Sequence, residues 1–160
     1  MPYVIGIDPG LQGAIALYEP LIEKLETFEM PILKAGTNSK RVIDELELSR
    51  MVKSWCEKHT IKKVLIERVH AMPKQGVTSV FTFGMGYGIV IGILAANTLP
   101  IEYVTPQSWK KELRVPALKD GSRARASQLF PAYSAQWNKS KWDGRAEAAM
   151  IAYYGAKNLI

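Results

Sequence analysis

The chain has 160 residues, 48% of them hydrophobic, enough for a single domain whose core needs neither disulfides nor a structural metal. Its one cysteine, Cys56, excludes an internal disulfide framework and fits a reducing compartment. The net charge of +6 is confined to residues 105–145, where nine Lys or Arg face three acids; the rest of the chain is neutral, so one segment is suited to a polyanion.

No basic segment followed by an apolar stretch and a cleavage site precedes the first strand, so the expectation is a cytoplasmic protein with one domain over 1–160. Apolar alternation predicts strands at 3–8, 13–18 and 22–28, joined by turns at Pro9-Gly10 and Glu19-Pro20 and therefore antiparallel. Residues 30–43, with Pro31, Gly36, Asn38 and Ser39, read as a loop. Asp44 and Glu47 resemble a capping box for a helix to about His59, on which Cys56 is a small core residue. A buried strand at 63–67 follows, reached by a helical crossover.

A loop at 68–77 leads into a helix at 78–97, within a charge-free stretch of 27 residues, 75–101, that is long enough to cross a bilayer. Thr78, Ser79, Thr82, Asn97 and Thr98 favour a buried helix of a soluble protein. Gly84, Gly88 and Gly92 share one helical face and permit close approach to a sheet or to a twin helix. A fifth strand is predicted at 101–104, and Thr105-Pro106 starts a short helix through Leu113. Helices around 122–130 and 141–158 complete an α/β chain: three antiparallel strands, then two parallel ones, in a mixed sheet flanked by helices.

Four acids are placed to meet. Asp8 and Glu67 each end an apolar strand, where a carboxylate is costly without a neighbouring cation. Asp143 and Glu147, four apart on the last helix, share a face and repel one another unless they too face a cation. Four oxygen donors suit Mg²⁺ or Mn²⁺, while His59 and His70 have no partners at zinc-ligand spacing. Two ions roughly 4 Å apart would clamp a phosphodiester for hydrolysis. The basic segment, with Trp109, Trp137 and Trp142 as stacking surfaces, makes nucleic acid the expected substrate.

The strand Ile5-Gly6-Ile7-Asp8-Pro9-Gly10 followed by Gly13-Ala14-Ile15-Ala16, the strand end Leu65-Ile66-Glu67, Thr105-Pro106-Gln107-Ser108-Trp109-Lys110 and Asp143-Gly144-Arg145-Ala146-Glu147-Ala148 occur in an order that resembles the RuvC-type Holliday junction resolvases, above all the small phage-type members. The resemblance implies an RNase H-like fold, a homodimer through the 78–97 helix, and Mg²⁺-dependent paired nicking of branched DNA at four-way junctions, with Mn²⁺ able to substitute. It carries the catalytic and metal-binding roles to Asp8, Glu67, Asp143 and Glu147. Lys110 matches a basic residue that contacts DNA, and Lys119 or Arg123 lies near a second; Arg68, His70, Lys74, Lys111, Arg125, Lys141 and Arg145 complete the expected DNA-binding set.

The chain departs from well-known bacterial members in three places: an Asp-x-x-x-Glu final pair where those often have Asp-x-x-Asp, His70 where an aromatic stacks at the junction centre, and the loop at 68–77. A related nuclease acting on flaps, forks or structured RNA is the alternative enzyme. A non-catalytic junction-binding module is the alternative outside catalysis, against which the four acids stand.

Overall fold

A computed structural model describes residues 1–36, 40–157 and 159. Strands β1 (Pro2–Asp8), β2 (Ala14–Glu19) and β3 (Lys24–Glu29) form an antiparallel meander, and β6 (Thr60–Glu67) and β7 (Ile101–Val104) add in parallel, giving the order β3-β2-β1-β6-β7. This is the mixed sheet predicted from the sequence. The central strand β1 is apolar on both faces because both are covered. Ile5 and Ile7 pack with Leu48, Val52 and Trp55 of α1 (Glu45–Lys58) and with Val90 and Leu94 of α2 (Val77–Ala96). Val4 faces the other layer, which contains α3 (Pro106–Glu112), α4 (Gly121–Leu129) and α5 (Asp143–Ala156).

Two helix starts follow their sequence signals. Asp44 caps α1 by accepting from the Glu47 N–H at 3.0 Å, and Thr105 caps α3 by accepting from the Ser108 N–H at 3.2 Å. Glycine decides how α5 sits. A Cβ at Gly6 would run into the backbone of Ala148 and Ala152, and one at Gly144 would lie 2.7 Å from the Gln12 carbonyl. The last helix therefore rests directly on the backbone of β1 and of the turn after it.

The structure departs from the sequence-based expectation in several places. Residues 30–43 are not simply a loop: β4 (Ile32–Ala35) and β5 (Lys40–Ile43) form a two-stranded antiparallel pair, entered after Pro31, with Gly36 at φ +79° directly after β4. Asn38 and Ser39 lie outside the described residues. The third strand begins two residues later than predicted because Glu19 accepts from the N–H groups of Leu21 and Ile22 and extends the turn. Strand β6 begins at Thr60 rather than 63. The last helix begins at Asp143, since Ser140–Trp142 is a 3₁₀ turn, and the predicted end at 158 lies outside the described residues.

The largest difference concerns α2. It was expected to be buried, yet only Val90 and Leu94 are, while Val77, Phe81 and Met85 are 88%, 70% and 45% exposed. One stripe packs on the domain, with the Tyr87 hydroxyl donating to the Glu67 carbonyl at 3.2 Å. Gly84, Gly88 and Gly92 face open space. By length and composition alone α2 is apolar enough to cross a membrane, but its packed stripe belongs to the core of the domain.

Candidate active site

The register Ile7 to Ile66 between β1 and β6 sets the next residues, Asp8 and Glu67, side by side at the ends of adjacent strands. Helix α5 starts across them, and its Asp143 and Glu147 line a cleft of about 650 Å³ that also contains Asp8. Glu67 is 9% exposed. Burial, then the charges of Glu147 and Glu67, push the Asp8 carboxyl well above its ordinary range, with Lys110 pulling the other way. The Glu67 carboxyl is also pushed up, by burial and by Glu147, against a hydrogen bond from Trp109 and the charge of Lys110. Burial and neighbouring carboxylates thus raise two acids in one place.

Basic and hydroxyl side chains already hold the α5 pair. Lys110 Nζ lies 3.7 Å from Glu147 Oε1, Ser122 Oγ donates to the same oxygen at 3.0 Å, and Arg123 Nε donates to Asp143 Oδ1 at 2.6 Å. In this arrangement no three His, Cys, Asp or Glu side chains among the described residues converge at metal-ligand range. The donor set still fits a hard divalent cation: it is all carboxylate, and a cation beside Asp8 and Glu67 would offset the burial and the neighbouring negative charge that raise both. Asp143, paired with Arg123 and 46% exposed at its side chain, is the acid least committed to the cluster.

The tryptophans differ from expectation. Trp109 and Trp137 are 0% and 1% exposed and offer no stacking surface. Their position in a basic segment resembled a nucleic-acid platform, but both fall on the inward faces of their elements. Trp109 has another place in the site: its Nε1–H donates to Glu67 Oε2 at 2.8 Å. Trp137 donates to Ser127 Oγ at 2.9 Å. Trp142 is partly exposed, with Lys139, Lys141 and Arg145 at 5.0 to 5.3 Å from its ring.

The expected DNA-contacting residues scatter more than the acids do. Lys110 and Arg123 stand within the acidic site itself. Lys141 and Arg145 line a smaller hollow of about 320 Å³ that shares Leu11, Gln12 and Gly13 with the main cleft. Arg68, His70 and Lys74 are exposed on and beside the loop before α2, with the Arg68 guanidinium 5.3 Å from the Tyr103 ring. Lys111 and Lys119 are exposed, and Lys111 lines a third hollow together with Arg125. Arg125 has local bonds, to the Leu113 carbonyl at 2.6 Å and to Gln128 at 2.8 Å. Ser122, Lys40 and Arg41 were missed: Ser122 carries no motif, and the other two fell in the segment read as a loop.

The family model for the crossover junction endodeoxyribonuclease RuvC matches residues 4–122, which takes in Asp8 and Glu67 and ends before the α5 pair. Among solved structures, the chain is similar to Thermus thermophilus RuvC in complex with a Holliday junction substrate, at 17% identity over 98% of this chain and 96% of that one, with a TM-score of 0.63. It is also similar to the fowlpox virus Holliday junction resolvase, at 11% identity over 99% of each chain and a TM-score of 0.54. The yeast mitochondrial Holliday junction resolvase Ydc2 shares 14% identity over 93% of this chain and 75% of that one, with a TM-score of 0.52. At these identities the likeness is one of fold. No curated protein gives a significant match. With its order of strands, its paired strand-end acids and a family match over most of its length, the chain belongs to the RuvC family of crossover junction endodeoxyribonucleases.

Proposed function

We propose that this protein is a Holliday junction resolvase that nicks four-way DNA junctions in the cytoplasm by divalent-metal-dependent hydrolysis. The observation that carries the mechanism is the pair of strand-end acids, Asp8 and Glu67, both raised by burial and by the charge of Glu147 beside a cleft that Asp8 and Glu147 line, with Lys110 next to them. Asp8, Glu67, Asp143 and Glu147 are the residues that would hold two ions, Mg²⁺ or Mn²⁺, which supply when bound an activated water and a charge clamp on the leaving oxygen. Trp109 keeps Glu67 aimed. Lys110 and Arg123, now paired with acids of the site, are the nearest cations for a scissile phosphate.

The uncovered face of α2 supports a homodimer. Val77, Phe81 and Met85 with the open glycines form an apolar surface that a second copy would bury, and two copies would present two sites to a substrate with two equivalent strands. Cleavage of four-way junctions, flaps, forks and RNA hybrids by the same preparation separates this reading from its alternatives. Two symmetric nicks in the junction are expected, from a protein that sediments with twice the mass of one chain. Phe81→Glu is expected to sediment as a monomer and to lose the pairing of the nicks. A stronger preference for flaps, or a Phe81→Glu dimer unchanged in mass, contradicts the respective part.

A further inference from the structure

The hairpin of β4 and β5 has no role in the site described so far, yet it forms part of its wall. Lys40 and Arg41 line the cleft that contains Asp8, Asp143 and Glu147. Arg41 also lines the neighbouring hollow, together with Lys141, Trp142 and Arg145. One side chain therefore belongs to both, and cations continue from the acids to the first turn of α5.

Beyond the acidic cleft itself, this path is short of anions. Lys34, Lys40 and Arg41 are exposed, and none of them forms an ion pair among the described residues. The register sets Lys34 directly opposite Arg41 across the hairpin, a like-charge pair that costs stability until an anion lies between or beside it. The smaller hollow has a single acid in its wall, Glu29, and that acid already accepts from Trp142 Nε1–H at 2.7 Å and lies 4.0 Å from Arg145. Arg145 Nε is buried with no hydrogen-bond partner among the described residues. The Trp142 ring is flanked by three cations of the protein itself, so the path offers charge rather than a stacking platform.

We infer that the β4–β5 hairpin is a phosphate clamp: Lys40 and Arg41, continued by Lys141 and Arg145, hold the sugar-phosphate backbone of the DNA strand as it leaves the acidic site. This deepens the proposed function and rests on it. The clamp fixes where the strand runs without reading bases, since long cationic side chains on an open hairpin have phosphates rather than base edges as their natural partners. It adds to the site an element that no motif marked.

The test uses the full-length protein and an immobile four-way junction, with Asp8→Asn as the parent to prevent cutting during binding. Lys40→Gln with Arg41→Gln is expected to weaken junction binding about tenfold near 0.1 M salt and to flatten the slope of log K against log[salt] by about 0.9 for each phosphate no longer neutralised. Lys40→Arg with Arg41→Lys keeps the charges and is expected to restore both, which separates missing charge from a misfolded hairpin. In a Cys56→Ser background, Lys40→Cys is expected to cross-link to a thiol tethered to the backbone next to the cleaved phosphate. Unchanged affinity and slope without a cross-link overturn the clamp while leaving the resolvase reading intact. Wild-type protein that neither binds nor cuts the junction overturns that reading and the clamp with it.

Discussion

Asp8→Asn is expected to lose junction nicking by at least about a thousandfold, equivalent to about 4 kcal/mol of transition-state stabilisation, while melting at a higher temperature than wild type when no metal is present. Both effects follow from one carboxylate. Burial and the charges of Glu147 and Glu67 raise its pKa in the folded protein above the ordinary 3.8. The folded state therefore binds the proton more tightly than the unfolded chain does. Stability that is fully present below about pH 3.8 is lost as pH rises through the higher folded value, so above about pH 3.8 the Asp8 carboxyl is a net cost to the metal-free fold. Asparagine keeps the shape and removes that cost. Added Mg²⁺ should reverse the order, raising the melting temperature of wild type more than that of the variant, because only a ligand that binds the folded state stabilises it. Thermal melts in EDTA and in Mg²⁺, with nicking assays on the same samples, check this; a variant that still cuts contradicts the placement of Asp8 in the cluster.

Trp109 gives the second large effect, through two substitutions that separate packing from positioning. The side chain is fully buried between α3 and α5, so Trp109→Ala is expected to cost about 3 to 5 kcal/mol of stability and to leave much of the protein unfolded near body temperature. Trp109→Phe retains most of the apolar packing and removes only the N–H that Glu67 Oε2 accepts. A buried carboxylate that loses its donor is left underpaired and free to turn. The expected result is a folded protein that cleaves roughly 10- to 100-fold more slowly and needs more Mg²⁺ for half-maximal rate, as for other groups that orient a metal ligand. Wild-type Mg²⁺ dependence in Trp109→Phe would show that the tryptophan only packs.

Much of this architecture was legible because the period-2 pattern is strong where strands are buried. Strand β1, with Val4, Ile5 and Ile7 almost fully covered, and the Asp44 and Thr105 caps are local signals that the tertiary structure had no reason to override. The pairing of Asp8 with Glu67 was readable from the same strands, since two adjacent parallel strands deliver their C-terminal residues to one place. The hairpin was not readable. Its strands are four residues each, β4 lies between Pro31 and Gly36, and three of the eight side chains are charged, so turn chemistry outweighed alternation.

The misplaced tryptophans and the exposed flank of α2 share a cause. Composition shows that an aromatic lies among cations, or that a helix lacks charge, but not which way either faces. Trp109 points into the core through the turn of α3, and α2 exposes the flank that a single chain cannot cover. The ion pairs and the hydroxyl hydrogen bond that hold Asp143 and Glu147 were equally invisible, because Arg123, Ser122 and Lys110 reach them from elements far away in sequence.

This RuvC-family chain is proposed to cut four-way DNA junctions with metal held by Asp8, Glu67 and the α5 acids. Incubation of the purified protein with an immobile junction labelled in turn on each of its four strands, in Mg²⁺ and in EDTA, tests it most directly. Paired nicks at symmetric positions on two opposing strands, present in Mg²⁺ and absent in EDTA, are the predicted result. Intact strands in Mg²⁺, or the same cuts in EDTA, would contradict it.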